Sequence, residues 1–176
     1  MASWGHYQSG ATGPYLSQLK SRLTPIADKA AFWGMIPRPD LIERYYDADV
    51  FVFPPVWNEG FGIPPVEAMA AGIPVVASRS GAVVETVRDH ETGFLVEKND
   101  PRGLAEGMLK LLEDDALREN MGRAARRWAL EQFTWDHVAE SMHKRYVALC
   151  KRGSAHDYLS SGESEATRDF QARVCP

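Results

Sequence analysis

Two carboxylates, Glu59 and Glu67, flank a glycine turn in the stretch Asn58-Glu-Gly-Phe-Gly-Ile-Pro-Pro-Val-Glu67. An ionised carboxylate only accepts hydrogen bonds, and its two oxygens can hold neighbouring hydroxyls of a sugar. Glycines let the backbone of Gly60, Phe61, Gly62 and Ile63 come close to a bound molecule. A helix that starts at such a turn presents unpaired N–H groups to a phosphate. The combination suits a phosphorylated sugar compound. Plainer accounts stand beside it: a turn that needs glycine only for its φ angles, a solvated loop charge at Glu59, and a first-turn acid at Glu67 that favours the helix dipole.

A strand before the turn and a helix after it must hold these groups. Val50-Phe-Val-Phe53 is a continuous apolar run, of the kind covered on both faces in a parallel sheet, and Ala68-Met-Ala-Ala71 is helix-like. Upstream, periodicity predicts a helix over residues 15–23, a short strand over 30–33 closed by Gly34, and a helix from 40 to about 48. In the last of these Leu41, Ile42 and Tyr45 are placed for burial. Downstream come a strand over 74–77, a helix over 81–88 with Ser80 as its N-cap, and a strand over 93–96. Strands alternating with helices predict an α/β fold: a Rossmann-like parallel sheet with helices on both faces, binding ligands beyond the carboxyl ends of its strands. The Glu59 turn leaves one such end.

Amphipathic helices close the order. One spans residues 101–113 with Leu104, Met108, Leu111 and Leu112; the next carries Leu117, Met121, Ala124 and Trp128; the last carries Val138, Met142, Tyr146 and Leu149. Helical spacing assigns these stripes to core packing. Residues 151–176 turn polar and lose periodicity, which predicts a loose tail after a domain over 1–150.

At 176 residues and 44% apolar content the chain has room for one folded domain, and a net charge of −4 argues against broad nucleic-acid binding. No apolar run approaches the roughly 20 residues of a membrane span. His6, His90, His137, His143 and His156 show no metal-ligand spacing with one another or with Cys150 and Cys175. The two cysteines allow one bridge, but a reducing cytoplasm is the default. A dinucleotide-dependent oxidoreductase fails on sequence, because position 65 is proline where the third glycine of its fingerprint would stand.

Glu59-Gly-Phe-Gly-Ile-Pro-Pro-Val-Glu67-Ala-Met-Ala-Ala-Gly-Ile-Pro-Val-Val-Ala77 resembles the Glu-x7-Glu signature of the group 1 glycosyltransferases. Asp47-Ala-Asp-Val-Phe-Val-Phe-Pro54 is similar to the strand before it. Gly81 with Glu85, Thr92-Gly-Phe-Leu-Val96 and Asp100-Pro101 resemble the segments after it, and Met121-Gly-Arg-Ala-Ala-Arg126 and Phe133-Thr-Trp135 the closing helices. The resemblance implies a retaining enzyme of two-domain GT-B architecture, using a nucleotide-diphosphate sugar without a metal cofactor. The chain would be part of the C-terminal, donor-binding domain, and the N-terminal acceptor domain and the basic pair that grips the diphosphate would be missing.

The same resemblance implies that Glu59 contacts the donor sugar and Glu67 the ribose. Gly60, Phe61, Gly62 and Ile63 would line the sugar and diphosphate, and Gly34, Met35 and Ile36 the base. Glu85 is assigned to local structure, and Lys20, Arg22 and Arg79 do not match the basic pair. In isolation the chain is expected to be inactive. The alternative is a non-catalytic nucleotide-binding module paired with a separate acceptor subunit, or a non-functional product. Localisation is expected to be cytoplasmic, with peripheral membrane attachment left open.

Overall fold

A computed structural model describes residues 14–151, with side chains through residue 149. The polar tail, the side chain of Cys150, Cys175, His6 and His156 therefore lie outside the described residues. The rest falls into two compact units divided between Asp47 and Ala48.

The first unit holds α1 (Pro14–Arg22), a 3-10 segment (Thr24–Lys29) and α2 (Arg38–Tyr46). The expected strand over 30–33 does not form. Its apolar pattern is adequate, but a strand exists only with a ladder partner, and no described strand pairs with it. Phe32 and Trp33 are instead met by cations, with Lys20 Nζ 5.4 Å and the Arg44 guanidinium 4.9 Å from the ring centroids. On α2 only Tyr45 is buried, and Ile42 is exposed, against expectation.

The second unit carries β1 (Phe51–Phe53), α3 (Ile63–Ala70), β2 (Val75–Ser78), α4 (Val83–Thr86), β3 (Gly93–Val96), α5 (Pro101–Glu113), α6 (Asp115–Gln132) and α7 (Trp135–Lys151). The strands form one parallel sheet in the order β1-β2-β3, with Phe51 opposite Val75 and Val75 opposite Gly93. Every residue of β2 is buried. Successive strand residues face opposite sides, so both faces of the sheet are covered there. Strand β1 is only half-buried, with α3 packed on it, whereas β3, which also flanks β2, is covered by both α5 and α6.

The core gathers Val76, Phe94, Leu111 and Met121, with Val50, Leu104, Met108 and Leu117 packed around them. Burying Leu111 completely is worth about 1.5–3 kcal/mol. Gly107 lets α5 lie against β2: a Cβ there would sit 3.0 Å from Val76 Cγ1. Asp100 caps α5 by accepting from Gly103 N at 2.9 Å, and Asp114 caps α6 by accepting from Leu117 N at 2.9 Å. These caps explain why α5 begins and ends where its pattern predicts.

Two expectations about helices change. The helix expected over 81–88 shrinks to the four residues of α4. The stripe on α7 was expected in a core, yet Met142, Tyr146 and Leu149 are about half exposed. Among the described helices α7 packs chiefly on α6. One neighbour cannot cover the whole stripe.

Candidate functional site

The carboxyl edge of the sheet holds Glu59 by its backbone from both sides. Glu59 N donates to Ser80 Oγ at 3.3 Å, and Ala82 N donates to Glu59 O at 3.0 Å. The Ser80 hydroxyl in turn donates to the carbonyl of Trp57. Ser80 is fully buried and follows β2, so the end of one strand fixes the loop leaving the next. It does not cap α4, as its sequence position suggested; α4 has no side-chain cap. Its hydroxyl is committed across the sheet edge instead.

Gly81 makes this approach possible. Its φ is +52°, and a Cβ would lie 2.8 Å from Glu59 N and closer still to Glu59 O. No side chain fits there.

The Glu59 carboxylate is oriented as well as placed. Trp57 Nε1 donates to Oε2 at 3.1 Å and Gly60 N to Oε1 at 3.1 Å. A carboxylate offers roughly four lone-pair directions, so two such bonds leave capacity for sugar hydroxyls. Lys98 Nζ reaches Asn58 Oδ1 at 2.6 Å and brings a cation to the start of the turn. Arg79 is engaged elsewhere, pairing with Asp89 and, at 3.6 Å, with Glu97.

Phe61 is tied to distant elements by ring contacts. Its ring meets Phe133 edge-on at 5.8 Å, and Phe133 meets Trp128 at 5.8 Å. The Trp128 indole donates to Thr86 O at 2.9 Å and carries the Arg88 guanidinium 3.5 Å above its ring. The turn is thus braced from α6 and from the end of α4.

Gly62, at φ +83°, is the N-cap of α3, and Pro64 and Pro65 sit in its first turn as expected. They also narrow the phosphate reading. Proline has no N–H, so most of the usual donors at a helix start are missing. What remains is the amides of Phe61, Gly62 and Ile63, which donate no backbone hydrogen bond to described residues. Glu67 is half-buried and lies past the first turn, which contains no acid. The helix-dipole account of Glu67 therefore loses its basis, since that effect fades within a turn.

Glu59, Gly60, Phe61, Gly62, Ile63 and Glu67 all belong to the second unit, whereas Gly34, Met35 and Ile36 belong to the first. There Gly34 has φ +61°, Met35 is exposed and Ile36 half-buried. Sequence reasoning did not find Trp57, the clamping role of Ser80, Lys98, or Phe133 as a brace. Ser80 and Lys98 act across 21 to 40 residues of chain, and no local spacing announces such pairs. Among the described residues no group of His, Cys, Asp and Glu is arranged to hold a metal, and no helix is long and apolar enough to cross a membrane.

Residues 10–128 match the family described as Glycosyl transferases group 1. The D-inositol 3-phosphate glycosyltransferase of Corynebacterium diphtheriae is 38% identical over 148 residues, covering 83% of this chain and 34% of that protein. The structure of sucrose-phosphate synthase from Thermosynechococcus elongatus is similar with a TM-score of 0.68 and 34% identity, over 76% of this chain and 33% of that one. The Anabaena protein HepE, solved with UDP-glucose, gives 0.65 and 25% over 74% of this chain and 37% of its own. The chain thus spans about a third of the length of these relatives.

Proposed function

We propose, for a chain that belongs to the group 1 glycosyltransferases, that residues 1–150 form part of the domain that binds a nucleotide-diphosphate sugar in a retaining hexosyltransferase. One observation carries the reading. A carboxylate is held in a fixed orientation at the carboxyl edge of a parallel sheet, beside the amides of Phe61, Gly62 and Ile63. Ligands of parallel α/β sheets gather at that edge. The relatives' own names and ligands point the same way.

In this reading Glu59 accepts from hydroxyls of the donor sugar and Glu67 from the ribose. As the anomeric bond breaks toward an oxocarbenium-like state, negative charge builds on the departing diphosphate. Preorganised amides at the turn stabilise that charge without reorganising. Because two prolines reduce their number, more of the compensation must come from basic side chains outside this turn. No metal is called for. The acceptor is bound elsewhere in the enzyme, and the purified chain alone transfers no sugar; transfer by it would overturn that clause.

The test is calorimetric titration of the folded chain with UDP, GDP and ADP, repeated on Glu67→Ala. Saturable binding of one nucleotide is expected, weakened about tenfold or more by the substitution, as for the loss of charge-assisted hydrogen bonds. Equal affinity in the variant would remove Glu67 from the site.

A further inference from the structure

We infer that Trp57 and Ser80 are positioning residues for Glu59, together fixing where its carboxylate points. The inference rests on the reading of Glu59 as the donor-sugar contact and adds to it the groups that make the contact specific. The hydrogen bonds form a closed circuit. Ser80 Oγ accepts from Glu59 N and donates to Trp57 O, so one buried hydroxyl sets the spacing of residues 57 and 59. The Trp57 indole N–H then returns to the Glu59 carboxylate at 3.1 Å.

Each half of the circuit does something the other cannot. Ser80 holds backbone, and with Ala82 N on the Glu59 carbonyl it removes the turn's freedom to rotate. Trp57 holds the carboxylate itself. A free glutamate side chain samples several rotamers, and ordering it at the moment of binding costs affinity. Trp57 orders it beforehand. Trp57 is 60% exposed, so burial does not account for this tryptophan. Its N–H has a defined acceptor, and that acceptor is the group proposed to meet the sugar.

Trp57 acts through the Glu59 side chain alone, so its loss must affect the sugar and spare the nucleotide. The experiment compares the affinity of the chain for UDP with UDP-glucose, and for GDP with GDP-mannose. The gain in affinity brought by the sugar is the readout. Trp57→Phe is expected to reduce that gain about three- to tenfold, as for loss of one hydrogen bond of ordinary net strength, while leaving nucleotide affinity unchanged. Ser80→Ala, which also loosens the turn backbone, is expected to reduce the gain by at least as much and is read on the gain alone. In a Glu59→Gln background Trp57→Phe should add nothing further, because its effect passes through the carboxylate.

The failures are distinguishable. If Glu59→Gln leaves the sugar's gain intact, the reading of Glu59 fails, and the inference with it. If Glu59→Gln abolishes the gain but Trp57→Phe does not, the inference alone is overturned. Ser80→Ala sits in a buried position and can fail to fold; the exposed Trp57→Phe then carries the test. If the chain binds none of these ligands, the indole N–H resonance of Trp57 decides, identified by its loss in Trp57→Phe. Displacement of that resonance by Glu59→Gln supports the brace, and an unmoved resonance refutes it.

Discussion

Two segments read alike as strand-to-helix loops, and the protein treats them in opposite ways. The Glu59 turn leaves β1, which pairs with β2, and its backbone is held on both sides by Ser80 and Ala82. Residues 30–36 leave no strand, and Phe32, Trp33 and Met35 stand exposed. Both contain a glycine at positive φ, one at Gly62 and one at Gly34. The difference is in what the chain brings from far away. Local pattern proposes a turn, and long-range partners make it a fixed one.

The strongest way to break the contrast is Gly81→Ala. The new Cβ would meet the Glu59 backbone inside contact distance, at a residue with φ +52°. Overpacking and left-handed strain together are expected to cost ~2–5 kcal/mol, read as a lower midpoint in urea. The same variant should lose the sugar's contribution to donor affinity, because the clash falls on the residue that presents the carboxylate. A stable Gly81→Ala chain with unchanged donor affinity would show that the turn is softer than its contacts imply.

A milder test removes a brace and leaves the turn's own backbone intact. Phe133→Ala takes away the ring between Phe61 and Trp128. Two edge-to-face contacts worth about 0.5–1.5 kcal/mol each are lost, so a drop of about 2 kcal/mol is expected in the same assay. Phe133→Leu should recover part of it, since apolar bulk remains. If neither substitution changes stability, the aromatic row is a contact without consequence and the turn is held by hydrogen bonds alone.

Much of this arrangement was legible in the residues. The second unit's strands and long helices followed from apolar runs and helical stripes, and in the structure Asp100 and Asp114 cap two of those helices. The position of the Glu59 turn followed from the strand before it. What could not be read was pairing at a distance. Whether 30–33 becomes a strand depends on a partner, not on its own pattern. Ser80 looked like an N-cap because serine before a helix usually is one, yet its hydroxyl found acceptor and donor across the sheet edge. The α7 stripe shows the same limit: helical spacing reports that a face is apolar, and only the neighbours decide whether it is covered.

Gly34→Ala introduces a Cβ at φ +61° with no heavy atom of the described residues within 4 Å. Only backbone strain opposes it, expected at about 1 kcal/mol. Gly81→Ala has nearly the same φ and adds a collision with Glu59. Measured side by side in urea, the two substitutions hold the conformational term nearly constant and differ in surroundings. The excess cost at Gly81 is then the price of the clamp on Glu59. If both glycines cost the same, the positive φ alone explains them, and the crowding around Glu59 relaxes without penalty. A much larger loss at Gly34 would mean that the loop over 30–36 is held as tightly as the turn over 57–62, and the contrast between the two segments would fall.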